Sequence, residues 1–151
     1  MENVKINIKF LDNNKERQVP FYATDGSAGM DLKACLEESI TLKPLERALI
    51  PTGIAISLPS PKYGAFIFAR SGLASKKGIT LANCVGVVDS DYTGEIKVAL
   101  VNLSNEEYTV TDGERIAQLV IMEVCKADFS VTEELEKTQR GSGGFGSTGS
   151  F

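Results

Sequence analysis

The stretch Asp89-Ser90-Asp91-Tyr92-Thr93-Gly94-Glu95 spaces two acids two residues apart beside a tyrosine and a glycine, between strand-like runs. An aspartate there can align or deprotonate a water, and the phenol ring beside it supplies a flat wall. On local grounds the same stretch reads equally as a hairpin turn with solvated acids. A second candidate is Arg70-Ser71-Gly72-Leu73-Ala74, where an apolar run enters a short helix. Backbone N–H groups, a serine hydroxyl and a guanidinium fork suit an anion such as phosphate. The spacing is not that of a Walker loop, and an ordinary surface turn remains the plainer local alternative. The third is the run from Arg140 to Gly149, glycine and serine around a lone Phe145. Composition says flexible tail. Its glycines nevertheless let successive amides converge on phosphate oxygens, and the phenylalanine has no local core to join, so it suits a lid over something flat. Asp31, inside the apolar Ala28–Leu32, and Gln118, inside the run Ile116–Val124, complete the set. Together these groups suit a metal-chelated polyphosphate and a water nucleophile.

What the chain lacks narrows the chemistry. It contains no histidine, which removes Ser-His-Asp and Cys-His nucleophiles and histidine-ligated zinc. Cys35, Cys84 and Cys125 are isolated and odd in number. They make neither a zinc knuckle nor a disulfide framework, and they read as small buried hydrophobes. A net charge of −4 argues against a broad groove for a nucleic-acid polymer, while a small polyanion needs only a local gathering of cations. No apolar run reaches membrane-spanning length, and the alternating Met1–Lys5 start lacks a signal-peptide pattern, so the expectation is a cytoplasmic protein that does not engage membranes.

The elements that must hold these residues are short strands. Val4, Ile6, Ile8 and Phe10 alternate with polar residues at period two, the mark of a half-buried strand. Further strands are expected at Ser39–Leu42, Ala48–Ile50, Gly53–Leu58, Ala65–Ala69, Ile96–Leu103, Tyr108–Val110 and Ile116–Val124. Pro44, Pro51, Pro59 and Pro61 are placed at strand ends, where a missing N–H does least harm. Helical turns are expected only at Gly72–Lys77 and Thr132–Lys137. With 151 residues, the pattern describes one all-β domain, a sandwich or barrel, and no interdomain linker.

Five segments, in order, resemble the five motifs of the trimeric dUTPase family: Ala28–Leu32, Arg70–Ala74, Gly86–Glu95, Glu114–Leu119 and Arg140–Gly149. Each is modest alone; five in order over nearly the whole chain are highly specific. The resemblance implies a jelly-roll domain over residues 1–139, a glycine-rich arm over residues 140–151, and a homotrimer whose active sites draw on all three chains. It implies hydrolysis of dUTP to dUMP and pyrophosphate with Mg²⁺. Asp89 then positions the water that attacks the α-phosphorus. Tyr92 packs against the deoxyribose. Asn83 and the backbone near Val87, Val88 and Lys97 form a hairpin pocket for uracil. Arg70, Ser71, Gly72 and Gln118 contact the triphosphate, with Arg140 at the γ-phosphate. Phe145 stacks on the base while Gly146, Ser147 and Thr148 close on the phosphates, and Asp31 holds the metal through water. Two positions depart from the common pattern: Lys77, where histidine or asparagine is frequent, and Lys97, where a small or apolar residue is. A dCTP deaminase shares this fold and nucleotide site, but the uninterrupted third motif disfavours it. A nucleotide-binding module without turnover is disfavoured by the intact Asp89, Tyr92 and Phe145.

Overall fold

The computed structural model describes residues 3–11 and 18–144. Ten strands and one short helix follow in order: β1 (Asn7–Phe10), β2 (Met30–Lys33), β3 (Ile40–Leu42), β4 (Arg47–Ser57), β5 (Tyr63–Ala69), α1 (Ser71–Lys77), β6 (Ile79–Leu81), β7 (Gly86–Val88), β8 (Glu95–Asn102), β9 (Tyr108–Val110) and β10 (Arg115–Glu123). They form two four-stranded sheets, ordered β1-β4-β8-β6 and β2-β10-β5-β7, and a small β3-β9 pair. The paired strands run antiparallel. One apolar cluster draws on both large sheets, with Ile50, Val98 and Leu100 from the first and Leu32, Ile67 and Leu119 from the second. Each such side chain, fully buried, contributes about 1.5–3 kcal/mol of transfer free energy. The architecture is the expected all-β, jelly-roll-like one.

Alternation decides which face each strand buries. In β8, Ile96, Val98 and Leu100 are buried while Lys97 points outward. The pairs Ala48↔Leu100 and Ile50↔Val98 put core residues on one face, and Leu49↔Ala99 and Pro51↔Lys97 lie on the other. Strands expected separately at Ala48–Ile50 and Gly53–Leu58 are one strand, β4, and Pro51 lies within it. A register shift between Pro51 and Ala55, where Gly53 takes a φ of 69°, interrupts the ladder, so the proline removes little from it.

The helix expected at Gly72–Lys77 forms, and it ends at Gly78, whose N–H bonds back to Ala74. The turn expected at Thr132–Lys137 is not helical; residues 125–142 are all exposed. A single turn with no face to bury does not meet the cost of helix nucleation. The cysteines also depart from expectation. Cys84 and Cys125 are exposed and Cys35 only partly covered, because Cys84 sits in the β6–β7 loop at positive φ and Cys125 lies beyond the last strand.

Candidate active site

The expected site residues fall into two groups. The first lies on the outer face of the β2-β10-β5-β7 sheet. Leu32 and Ala117, opposite each other across β2 and β10, are core; Asp31 and Gln118, one step along, are opposite each other on the other face. Phe68 pairs with Gln118, so Arg70, two residues further, leaves β5 on the same side. Its Nε donates to Asp31 Oδ1 at 2.9 Å and its Nη1 to the Arg115 carbonyl at 3.2 Å. Arg115 Nη1 donates to Asp31 Oδ2 at 3.3 Å. Arg70 is also the N-cap of α1, with extended backbone, and the first turn carries no acid. The N–H groups of Ser71 and Gly72 therefore have no intrahelical acceptor. Ser71 is exposed, and its carbonyl accepts the Ser75 hydroxyl at 2.7 Å.

Asp31, Arg70 and Gly72 line a cavity of about 1210 Å³. Among the described residues, five cationic side chains line it against three acidic ones: Lys33, Arg70, Lys76, Lys77 and Arg115 against Asp31, Asp112 and Glu114. On a chain of net charge −4, this local excess of positive charge suits a polyanion. The acids are engaged. Asp31 is paired as above, Asp112 accepts the Leu36 N–H at 2.9 Å, and Glu114 accepts the Tyr108 hydroxyl and the Thr111 N–H. Burial, the hydrogen bond to Glu114 and the Glu114 charge together raise the Tyr108 phenol from 10.0 to about 12, against an opposing pull from Arg70.

The second group lies around β7 and β8. A cavity of about 310 Å³ is lined by Asn83, Val87, Val88, Asp89, Tyr92 and Lys97, with Leu49 and Glu95 beside them. The segment expected as a hairpin is a bridge between sheets. Strand β7 pairs with β5 in one sheet, while β8 pairs with β4 and β6 in the other. Tyr92 is fixed by three contacts. Its N–H bonds to the Asp89 carbonyl at 3.1 Å, its hydroxyl donates to the Glu95 carbonyl at 2.8 Å, and its ring lies over Gly94. A Cβ at Gly94 would meet the Tyr92 Oη at 2.6 Å, so only glycine leaves room for the ring. Glu95 in turn accepts the Gly53 N–H at 3.0 Å and faces Lys97 Nζ at 3.6 Å. Asp89 is exposed at the cavity edge.

Among the described residues none lines both cavities. Gln118 and Ser71 line neither, although Gln118 faces Asp31 across the strand pair. Arg140 is exposed in a turn, its Nε donating to the Gly143 carbonyl at 2.9 Å. Phe145, Gly146, Ser147 and Thr148 lie outside the described residues. Arg115 is the residue that sequence reasoning passed over. Its signal was present as two consecutive apolar residues, Ile116 and Ala117, which break the alternation between Arg115 and Gln118.

Among the described residues no group of three or more histidine, cysteine, aspartate or glutamate side chains is disposed to hold a metal. Asp31 gives one hydrogen bond's worth of each oxygen to an arginine. A carboxylate has about four lone-pair sites, so two remain for waters of a hydrated cation. The donor set fits Mg²⁺ held through its waters, which that ion gives up reluctantly, and does not fit a cage of protein ligands.

Residues 15–149 match the family model described as dUTPase. A deoxyuridine 5'-triphosphate nucleotidohydrolase from Desulfitobacterium hafniense (strain DSM 10664 / DCB-2) is 51% identical over 149 residues, 99% of each chain. One from Neisseria meningitidis serogroup B (strain ATCC BAA-335 / MC58) is 52% identical over 148 residues, 98% of this chain and 99% of that protein. Among solved structures, a Staphylococcus bacteriophage 80alpha dUTPase mutant with dUpNHpp superposes with a TM-score of 0.84 at 27% identity, covering 96% of this chain and 98% of that one.

Proposed function

The chain belongs to the dUTPase family and is a dUTP-hydrolysing enzyme, and from that premise we propose that it cuts dUTP to dUMP and pyrophosphate by Mg²⁺-assisted attack of water on the α-phosphorus. The observation that carries this reading is the division of labour between the two cavities. One offers fixed cations and helix-start amides for a polyphosphate; the other offers a carboxylate beside a rigid aromatic wall.

In this reading Arg70, Ser71, Gly72 and Gln118 hold the phosphates, and Asp31 binds Mg²⁺ through water. When bound, Mg²⁺ neutralises charge that builds on the departing pyrophosphate. Asp89 aligns a water in line with the leaving group and takes its proton. The water oxygen bonds to the α-phosphorus as the bond to the bridging oxygen breaks, leaving dUMP and pyrophosphate. Tyr92, tied down at its N–H and its hydroxyl, cannot yield to a ribose 2′-hydroxyl. Asn83 and the backbone of Val87, Val88 and Lys97 pair with uracil; cytosine reverses that donor and acceptor pattern and would leave groups closed off beneath the bound base unpaired. The arm, residues 140–151, closes from another chain: Arg140 reaches the γ-phosphate, Phe145 covers the base, and Gly146, Ser147 and Thr148 wrap the phosphates. The remainder, residues 1–139, is the β domain.

Three copies complete each site. Leu49 and Val87, 60% and 64% exposed, border the second cavity on outer faces that a neighbouring copy would cover. The reaction limits uracil incorporation into DNA and supplies dUMP for thymidylate synthesis. The absence of paired cysteines among the described residues suits the reducing cytoplasm, and no helix among them is long and apolar enough to cross a membrane.

The test is pyrophosphate release from dUTP with Mg²⁺, set against dTTP, dCTP, UTP and a chelator, for wild type and Asp89→Asn. Release from dUTP alone is expected, lost to the chelator, with Asp89→Asn binding normally but turning over at least about a hundredfold slower. Ammonia from dCTP would make it a deaminase, and tight dUTP binding without turnover would make it a binding module.

A further inference from the structure

The geometry points to Arg115 as a positioning residue for hydrolysis, delivered to the site by a β-bulge whose effect is to turn this one side chain around. The inference rests on the reading of Arg70 as a phosphate-binding residue. In β10 the register runs Leu119↔Met30, Gln118↔Asp31, Ala117↔Leu32, and then jumps to Arg115↔Lys33. Ile116 is the inserted residue. In a regular strand of the same sequence Arg115, three residues before Gln118, would face away from Gln118 and Asp31, because a strand's side chains alternate. With the bulge Arg115 shares the face of Asp31, and both Ile116 and Ala117 are buried. Bulges beside active sites characteristically re-aim a side chain in this way.

What the re-aimed residue does follows from its contacts. The Arg70 guanidinium is held at two points, Asp31 Oδ1 and the Arg115 carbonyl. A carboxylate held by one oxygen still rotates about its χ2. The Arg115 guanidinium takes the other oxygen and stops that rotation, so the bulge residue fixes Arg70 twice, by its own carbonyl and through Asp31. The side chains grade outward from Asp31 and Arg70, 22% and 28% exposed, to Arg115 at 57%. Arg115 is thus the outer brace of a pair that faces the cavity. Lysine at this position would keep the charge but lose the planar fork.

The test is a kinetic cycle on the assembled enzyme with dUTP and Mg²⁺, comparing wild type, Arg115→Ala, Arg70→Ala and the double variant, with thermal midpoint and oligomer size measured for each. Arg115→Ala should lower kcat about tenfold to a hundredfold through misplacement of Arg70, with a midpoint within a few degrees of wild type. In the Arg70→Ala background the same substitution should cost almost nothing, since its effect runs through Arg70. Arg115→Lys, the variant to use if alanine disturbs assembly, should recover part of the loss and show the same dependence on Arg70. Unchanged kcat in Arg115→Ala and Arg115→Lys, or losses that multiply with that of Arg70→Ala, overturn the inference while wild type stays active. An inert wild type removes the phosphate-site reading, and this inference with it.

Discussion

Tyr108 links the cavity lined by Asp31 and Arg70 to the small β3-β9 pair, and its titration gives a readout of that link. Its hydroxyl donates to Glu114, the residue preceding the bulge arginine, and Glu114 also holds the Thr111 N–H. The phenol is raised from 10.0 to about 12 by burial first and by Glu114 second. The neutral form is therefore the one that the folded protein favours. Below pH 10 both folded and unfolded chains carry the proton and stability does not depend on it; between pH 10 and about 12 the unfolded chain loses the proton first, and the stability the hydroxyl contributes is lost as pH rises. The urea midpoint should fall across that window, and Tyr108→Phe should flatten the fall and remove a late phase from the phenolate absorbance titration. An identical pH profile in the variant would remove Tyr108 from the linkage. The same scale shows why Arg115 was hard to read in the sequence. The residue type was visible, but its direction depends on a one-residue register jump against a partner strand over eighty positions away in the chain.

Among elements, the join between β8, β3 and the 104–106 turn depends on Asn102. This side chain is fully buried, and all its capacity is used. Its amide donates to the Leu42 and Glu106 carbonyls at 2.9 and 2.7 Å, and its oxygen accepts the Ser104 N–H and hydroxyl at 2.9 and 2.8 Å. Asn102→Ala removes the buried donor to the Leu42 carbonyl and the acceptor that holds the Ser104 turn, so a loss of about 1–3 kcal/mol is expected, measured by urea denaturation, with kcat of the folded fraction retained. A loss within a few tenths would mean water replaces the amide. Strands with period-two patterning, such as β1, β8 and β9, were legible because one face is buried and the other is not. Strands β2, β6 and β7 were not, though β9 is no longer than they are: each starts at or directly after a glycine, Gly29, Gly78 or Gly86, which reads as a turn or break. The site residues proposed on β2 and β7, Asp31, Val87 and Val88, were named through the motifs of the resemblance. The resemblance implied a hairpin between Asn83 and Lys97; within one chain β7 and β8 pair into different sheets, so the chain crosses from one sheet to the other there.

On the scale of the whole molecule, the two half-sites pose a problem that a single chain does not solve. Asp31, Arg70 and Gln118 stand on the outer face of one sheet, and Asp89 and Tyr92 stand around the far strands β7 and β8, with no described lining residue in common between the two cavities. If each complete site takes its phosphate half from one copy and its Asp89 half from another, two dead variants should repair one another. Arg70→Ala spoils the first half and leaves the second intact; Asp89→Asn does the reverse. Mixed at equal amounts, unfolded and reassembled together, the chains should give about one quarter of sites with both halves intact, since each half is drawn independently from a symmetric assembly with equal odds. The mixture should then recover about that fraction of wild-type dUTP turnover, while the two variants refolded apart and then combined should stay inactive until subunits exchange. Were both halves supplied by the same chain, every site would carry one lesion or the other, and no mixing ratio would restore turnover.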